Sequence, residues 1–207
     1  MLDLDRIAGA AVAQVPFPYF VISDVLGADA LQRIGADFPA IAKPGLFTLD
    51  DVDSRGAFAA LVEEIQGPQL ADVIGKLFDV DLSGLPLMVT VRGQCARRDG
   101  RIHTDSDDKL ITCLLYLNAP NWDATGGRLR LLRSGTDLDD MIAEVPPVGG
   151  TLIGFRRCHN SWHGHAPFAG PRRYVMFNWM TSQAVLSKNL GRHRISAMFK
   201  RLGLFTH

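Results

Sequence analysis

The spacing of apolar residues changes character partway along the chain. In the first 84 residues, apolar positions recur at helical intervals. Residues 4–14, rich in alanine, read as a short helix, and Phe17–Ile22 reads as a strand running into Ser23-Asp24. Between Gly27 and Phe38, the side chains of Leu31, Ile34 and Phe38 fall on one helical face, and Pro39 ends the run. A second helical stretch covers residues 57–78. There Phe58, Leu61, Ile65, Leu70, Val73 and Leu77 share an apolar side, and Gly67-Pro68 is predicted to break the stretch in two.

From Leu85 onward the texture is that of short strands. Leu87–Arg92, Leu110–Asn118, Gly127–Leu132, Thr151–Phe155 and Arg173–Met180 are β-type runs, punctuated by Gly126-Gly127, Ser134-Gly135 and the Pro/Gly-rich residues 146–150. Such spacing predicts a sandwich or open barrel. The segment Arg192–Leu202 has the pattern of a basic amphipathic helix that would pack Ile195, Met198, Phe199 and Leu202 onto the domain. Together these elements predict a single α+β domain. It would comprise a helix-rich supporting part over 1–84, a β core over 85–182 and a C-terminal helix over 183–207, with helices on one face of the sandwich.

Composition adds exclusions more than assignments. With 22 basic and 22 acidic residues, the chain has no net charge to draw it to nucleic acid or an anionic membrane, and no apolar stretch is long enough for a membrane span. Cys95, Cys113 and Cys158 are too few and too scattered for a disulfide framework or a structural zinc site. The N-terminus lacks the basic-then-apolar pattern of a secretory signal, so a reducing cytoplasm is the expected setting.

The candidate chemistry starts at His103-Thr104-Asp105. On an extended chain residues two apart point the same way, so an imidazole and a carboxylate would converge. The pair alone is weak, because 6 histidines among 19 aspartates make one accidental His-x-Asp unsurprising. The distal run Trp162-His163-Gly164-His165-Ala166-Pro167 offers a further imidazole. Two histidines and one carboxylate on one face of an octahedron leave the opposite face open, which suits non-haem Fe(II) with a bidentate cosubstrate and O2. Zinc in a hydrolase more often sits in tetrahedral geometry, and no His-Glu-x-x-His motif is present. Downstream, Arg172 and Arg173 offer a guanidinium for a cosubstrate carboxylate. Adjacent strand residues face opposite ways, so only one of them can enter the core.

These residues, in this order, resemble the Fe(II)/2-oxoglutarate-dependent dioxygenases, in the branch that includes the prolyl hydroxylases. The resemblance spans residues 85–182. It rests on His103-x-Asp105, Thr112–Asn118, Trp122-Asp123, Gly126-Gly127 with Leu129, the Pro147–Phe155 run, His163-x-x-x-Pro167, Arg173 and Trp179. It implies a double-stranded β-helix, or jelly-roll, core and an enzyme that uses Fe(II), 2-oxoglutarate and O2 to hydroxylate a C–H bond, releasing succinate and CO2, with ascorbate as a supportive reductant. His103, Asp105 and His163 become the metal ligands, His163 being chosen over His165 by its place four residues before Pro167. Arg173, six residues before Trp179, becomes the anchor of the cosubstrate's far carboxylate, helped by the Tyr116 hydroxyl. Leu129 and Thr112 would line the same pocket. Trp162, Trp179 and Phe155 would keep the site dry.

Two departures stand out. His165 occupies a place where the family usually carries a small apolar residue, and the segment before His103 carries Arg97, Arg98 and Arg101 instead of tyrosines. With Arg156 and Arg157 these arginines would suit an acidic substrate. The substrate itself, peptidyl (with proline one option) or small-molecule, is left open. The competing readings are a cupin-type metal enzyme that does not use 2-oxoglutarate, and a non-catalytic jelly-roll binding module.

Overall fold

The computed structural model describes residues 1–187 and 190–191. The helix expected over Arg192–Leu202 lies outside them.

Four α-helices come from the N-terminal part. Helix α1 (Leu4–Ala8) is shorter than its alanine-rich sequence predicts; Asp3 caps it by accepting from the Arg6 N–H, and Gly9 closes it. Helix α2 (Ala28–Ala36) buries Ala30 and Ile34. The second helical stretch divides where expected, into α3 (Gly56–Gln66) and α4 (Pro68–Phe78). Gly67 between them is extended, and Pro68 opens α4, where its missing N–H leaves no intrahelical bond unmade.

Among the described residues nine strands follow one another: β1 (Tyr19–Ile22), β2 (Phe47–Thr48), β3 (Leu87–Cys95), β4 (Lys109–Tyr116), β5 (Leu129–Leu132), β6 (Met141–Val145), β7 (Leu152–Arg156), β8 (His163–Gly164) and β9 (Gly170–Met180). They form a six-stranded sheet, β1-β7-β4-β9-β3-β2, and a three-stranded sheet, β6-β5-β8. All strand pairings are antiparallel. Three strands escape the sequence reading. β2 and β8 have two residues each, too few for a periodic signal, and β6 lies at a sheet edge with little of it buried. The β core also reaches beyond 85–182. β1 pairs with β7 and β2 with β3, so both edges of the large sheet come from the N-terminal part.

Strand alternation splits the core into two layers. On the outer face of the large sheet, Val89, Val91, Ile111, Cys113, Leu115, Val175, Phe177 and Trp179 pack against Phe58, Leu61, Ile65, Leu70 and Ile74 of α3 and α4. On the inner face, Leu114, Tyr116, Ile153, Phe155 and Tyr174 meet Leu129, Leu131 and Val145 from the small sheet. Helices thus cover one face of a two-sheet core, and each fully buried large aliphatic or aromatic side chain contributes about 1.5–3 kcal/mol. β4 is buried almost throughout because it is covered on both sides.

Candidate active site

The inner layer opens into a cavity of about 180 Å³. At one end stand His103, Asp105 and His163, whose ligand atoms all lie within 4.8 Å of one another. They form the only such group of three among the described residues. Backbone pairing makes the cluster: the N–H of His103 donates to the His163 carbonyl and the N–H of His163 to the His103 carbonyl, each at 3.0 Å. This single antiparallel bridge brings residues sixty positions apart side by side, with ring centroids 4.3 Å apart. Asp105, two residues past His103, turns inward as the alternation predicts and is buried.

Hydrogen bonding sets the state of each donor. The Nδ1 of His103 lies 2.8 Å from the Arg101 carbonyl, and that of His163 lies 3.0 Å from the Ser161 carbonyl. A carbonyl only accepts, so both Nδ1 atoms carry the proton and both Nε2 atoms keep a lone pair for a metal. Burial lowers the His163 pKa to about 4, against the pull of Asp105, which keeps the ring in its neutral, ligating form. For Asp105 burial works to raise the pKa, but Lys109, His163 and the Thr112 hydroxyl outweigh it and hold the group at about 2. Lys109 Nζ donates to Asp105 Oδ1 at 2.9 Å and Thr112 Oγ1 to Oδ2 at 2.5 Å. A carboxylate has about four acceptor positions, so these two bonds leave room for a metal.

Thr112 also lies 2.9 Å from the side-chain amide of Asn178. The atom facing it is Oδ1, an acceptor like Asp105 Oδ2, so the one hydroxyl proton of Thr112 is shared between two acceptors, and the Asn178 NH2 is buried without a hydrogen-bond partner. This Asn178–Thr112–Asp105 chain, and Lys109, were not read from the sequence. Asn178 is signalled there only by its parity with Arg172, Tyr174 and Met176 on β9; Lys109 has no such signal, because the register of β4 shifts between Lys109 and Ile111.

At the other end of the cavity the structure corrects the choice of arginine. Arg172 is 2% exposed and enters the cavity, whereas Arg173 is exposed and lies over the Phe38 ring at 5.1 Å on the helix-covered side. Counting back from Trp179 misleads because Trp179 shares the outer face with Arg173, Val175 and Phe177. Arg172, Tyr174, Met176 and Asn178 form the inner row. Arg172 Nε donates to the Gly127 carbonyl at 2.7 Å and Nη2 to the Tyr116 hydroxyl oxygen at 3.1 Å. Among the described residues it has no carboxylate partner. A buried cation left in that state is costly unless a ligand supplies the anion.

The remaining expected residues divide. Tyr116, Thr112 and Leu129 are buried on the inner face, and Thr112 and Leu129 line the cavity. Burial pushes the Tyr116 hydroxyl up to about 12, so it stays protonated. His165 lines the cavity but stands outside the three-residue cluster; its Nδ1 donates to the Ala166 carbonyl at 2.9 Å, and Gly100 lies directly over its ring. A Cβ at Gly100, whose φ is +85°, would come within 2.4 Å of that ring, so only glycine fits. Phe155 packs on His163 at 4.8 Å and helps exclude water. Trp179 and Trp162 do not: Trp179 is in the outer layer, and Trp162 packs over Gly135. Arg157 is occupied by Asp107 and by the Asp105 carbonyl, while Arg97 and Arg101 are exposed on the segment leading to His103. A larger cleft of about 680 Å³, against α4 and the start of β3, holds no metal-ligating group of three.

Set beside known proteins, residues 93–181 match the family model of the 2OG-Fe(II) oxygenase superfamily. The match covers 89 of the 207 residues. The match supports 2-oxoglutarate-dependent oxygenase chemistry, with Fe(II), 2-oxoglutarate and O2. No curated protein matches it in sequence. Among solved structures, a prolyl-4-hydroxylase from Pseudomonas putida aligns with TM-score 0.57 and 19% identity, over 86% of this chain and 96% of that one. A viral collagen prolyl hydroxylase from Paramecium bursaria Chlorella virus-1 aligns with TM-score 0.53 and 16% identity, over 79% and 95%. HygX from Streptomyces hygroscopicus, solved with nickel and 2-oxoglutarate bound, aligns with TM-score 0.53 and 11% identity, over 78% and 82%. At these identities the likeness speaks for the fold alone, the double-stranded β-helix core expected from the sequence.

Proposed function

We propose that His103, Asp105 and His163 hold the Fe(II) of this oxygenase and that Arg172, with the Tyr116 hydroxyl, anchors the far carboxylate of 2-oxoglutarate. The reading is carried by one observation: a buried arginine, without an anionic partner among the described residues, lines the same cavity as two imidazoles and a carboxylate. Bound there, the metal and cosubstrate supply the O2-activating chemistry. The protein's part is geometry. Two imidazole nitrogens and one carboxylate oxygen would hold the ion, a donor set that suits Fe(II) with further exchangeable ligands. The Arg172 guanidinium neutralises the distal carboxylate without a change of protonation. Tyr116 accepts from Arg172 through its oxygen, so its proton is available to the carboxylate. Leu129 forms an apolar wall beside the carbon chain, and Phe155 keeps water from His163.

The substrate would approach past the segment that carries Arg97, Arg101 and His103 and offer a C–H bond to the open side of the metal. Two of the fold neighbours are named prolyl hydroxylases, which makes a prolyl peptide the first substrate to screen; the exposed arginines favour acidic peptides or acidic metabolites in the same panel.

The test is an anaerobic titration of metal-free protein with Fe(II) and then 2-oxoglutarate. A weak visible charge-transfer band should appear only with both present and be lost in Asp105→Ala. Iron bound by folded wild-type protein without such a band would overturn the reading.

A further inference from the structure

We propose that residues 192–202 dock as an amphipathic helix in the cleft between α4 and the start of β3, as a strap across the outer layer of the fold. The inference is independent of the metal and cosubstrate reading above.

The cleft, of about 680 Å³, shares no lining residue with the cavity of the metal cluster. Its floor is Ile65, Leu82 and Trp179, all buried. Its walls are apolar side chains that the fold leaves half-buried: Ala71 of α4, then Val80, Leu85 and Leu87. Three carboxylates, Asp72, Asp79 and Asp81, stand exposed around it against one ammonium, Lys76. Lys76 is committed to Asp72 at 2.7 Å. Asp79 and Asp81 have no cationic partner among the described residues. An apolar groove with an acidic rim fits a helix that is apolar on one stripe and basic beside it.

The chain supplies that pattern close by. Ile195, Met198, Phe199 and Leu202 recur at i, i+3, i+4 and i+7, the anchor spacing of a helix laid in a groove. Arg192, Arg194, Lys200 and Arg201 accompany them, and no Asp or Glu follows Glu144. These residues lie outside the described part of the chain, but the strand that leads to them borders the cleft. Trp179 in the floor pairs with Leu87 in the wall. The next residue, Met180, ends β9 with its N–H on the Pro86 carbonyl at 2.8 Å. Residues 181–191 then form the spacer, about 16 Å long when helical. So short a tether sets a local concentration of roughly millimolar order, which favours this segment over a free partner. Docked there, the strap covers the floor beside Trp179 and braces β9, whose opposite face carries Arg172 and Tyr174.

The test is hydrogen–deuterium exchange of the full chain, read by mass spectrometry, in wild type, Ala71→Arg and Met198→Asp. Ala71→Arg narrows the groove and adds a charge of the segment's own sign, at a half-buried helical position where arginine is a good helix former. Wild type should protect residues 192–202 and 80–85. Both variants should speed exchange in both regions by about tenfold, with β4 and β9 unchanged as the control for folding. If Ala71→Arg does not fold, Asp79→Asn replaces it. Asparagine tolerates the left-handed backbone there, φ +52°, and the lost rim charge should weaken protection and its sensitivity to salt. Wild-type residues 192–202 that exchange like an unfolded peptide would overturn the inference. Protection that survives the cleft variant or Met198→Asp would do the same, since the apolar stripe would then not lie in this groove. Protection lost on dilution would seat the segment on a second copy of the chain and sink the intramolecular strap.

Discussion

On β9 the alternation of side chains sends Arg172 into the cavity and leaves Arg173 stacked on Phe38 outside it. The two neighbours should therefore behave oppositely. Arg172→Met removes one partner of a desolvated charge pair, a loss of about 2–5 kcal/mol, so 2-oxoglutarate affinity should fall by roughly 30-fold or more. Arg173→Ala should leave that affinity within about twofold, because exposed charges contribute roughly 0–1 kcal/mol. Binding titrations on both variants check this, and equal losses would refute the inward assignment of Arg172. At this scale the candidate metal-binding pair was readable: His-x-Asp points two donors the same way on any extended chain. The arginine was not, because two adjacent cations look alike until the strand's register against β3 and β4 is known.

The elements hold the site through close backbone approach. β7 runs between β1 and β4, and its Gly154 lies beneath the Phe20 ring; a Cβ there would come within 2.4 Å of that ring and 3.1 Å of Cys113 Sγ. Gly154→Ala should overpack this layer by about 1–3 kcal/mol. A melting curve should show a fall of roughly 2–10 °C for a domain of this size, and an unchanged midpoint would mean that Phe20 has room to move. The helices and long strands were legible because their apolar periods repeat several times. β8 was not, since two residues carry no period. Yet β8 contains His163, and only its bridge to His103 sets the two imidazoles side by side.

Across the whole molecule, the metal cluster ties together parts of the chain that meet only on folding. A divalent ion binding the native cluster and not the unfolded chain stabilises by mass action, by about 2.7 kcal/mol at a free concentration 100 times its Kd. Redox-inert Ni(II) or Co(II) should raise the melting midpoint by roughly 5–10 °C, and EDTA should reverse the rise. Asp105→Ala, which removes one donor and the counter-charge of Lys109, should show no such rise; a full shift in that variant would place the ion elsewhere. By itself, the sequence determined the order of elements, the helices before a β core, the His103-x-Asp105 pair and the candidacy of His163, since each follows from local period or spacing. Only the tertiary structure decided that Arg172 enters, that β1 and β2 complete the large sheet, and that Asn178, Lys109 and Arg92 line or support the cavity. Those facts depend on which strands lie side by side and in what register, a property of long-range pairing that no local pattern along the chain contains.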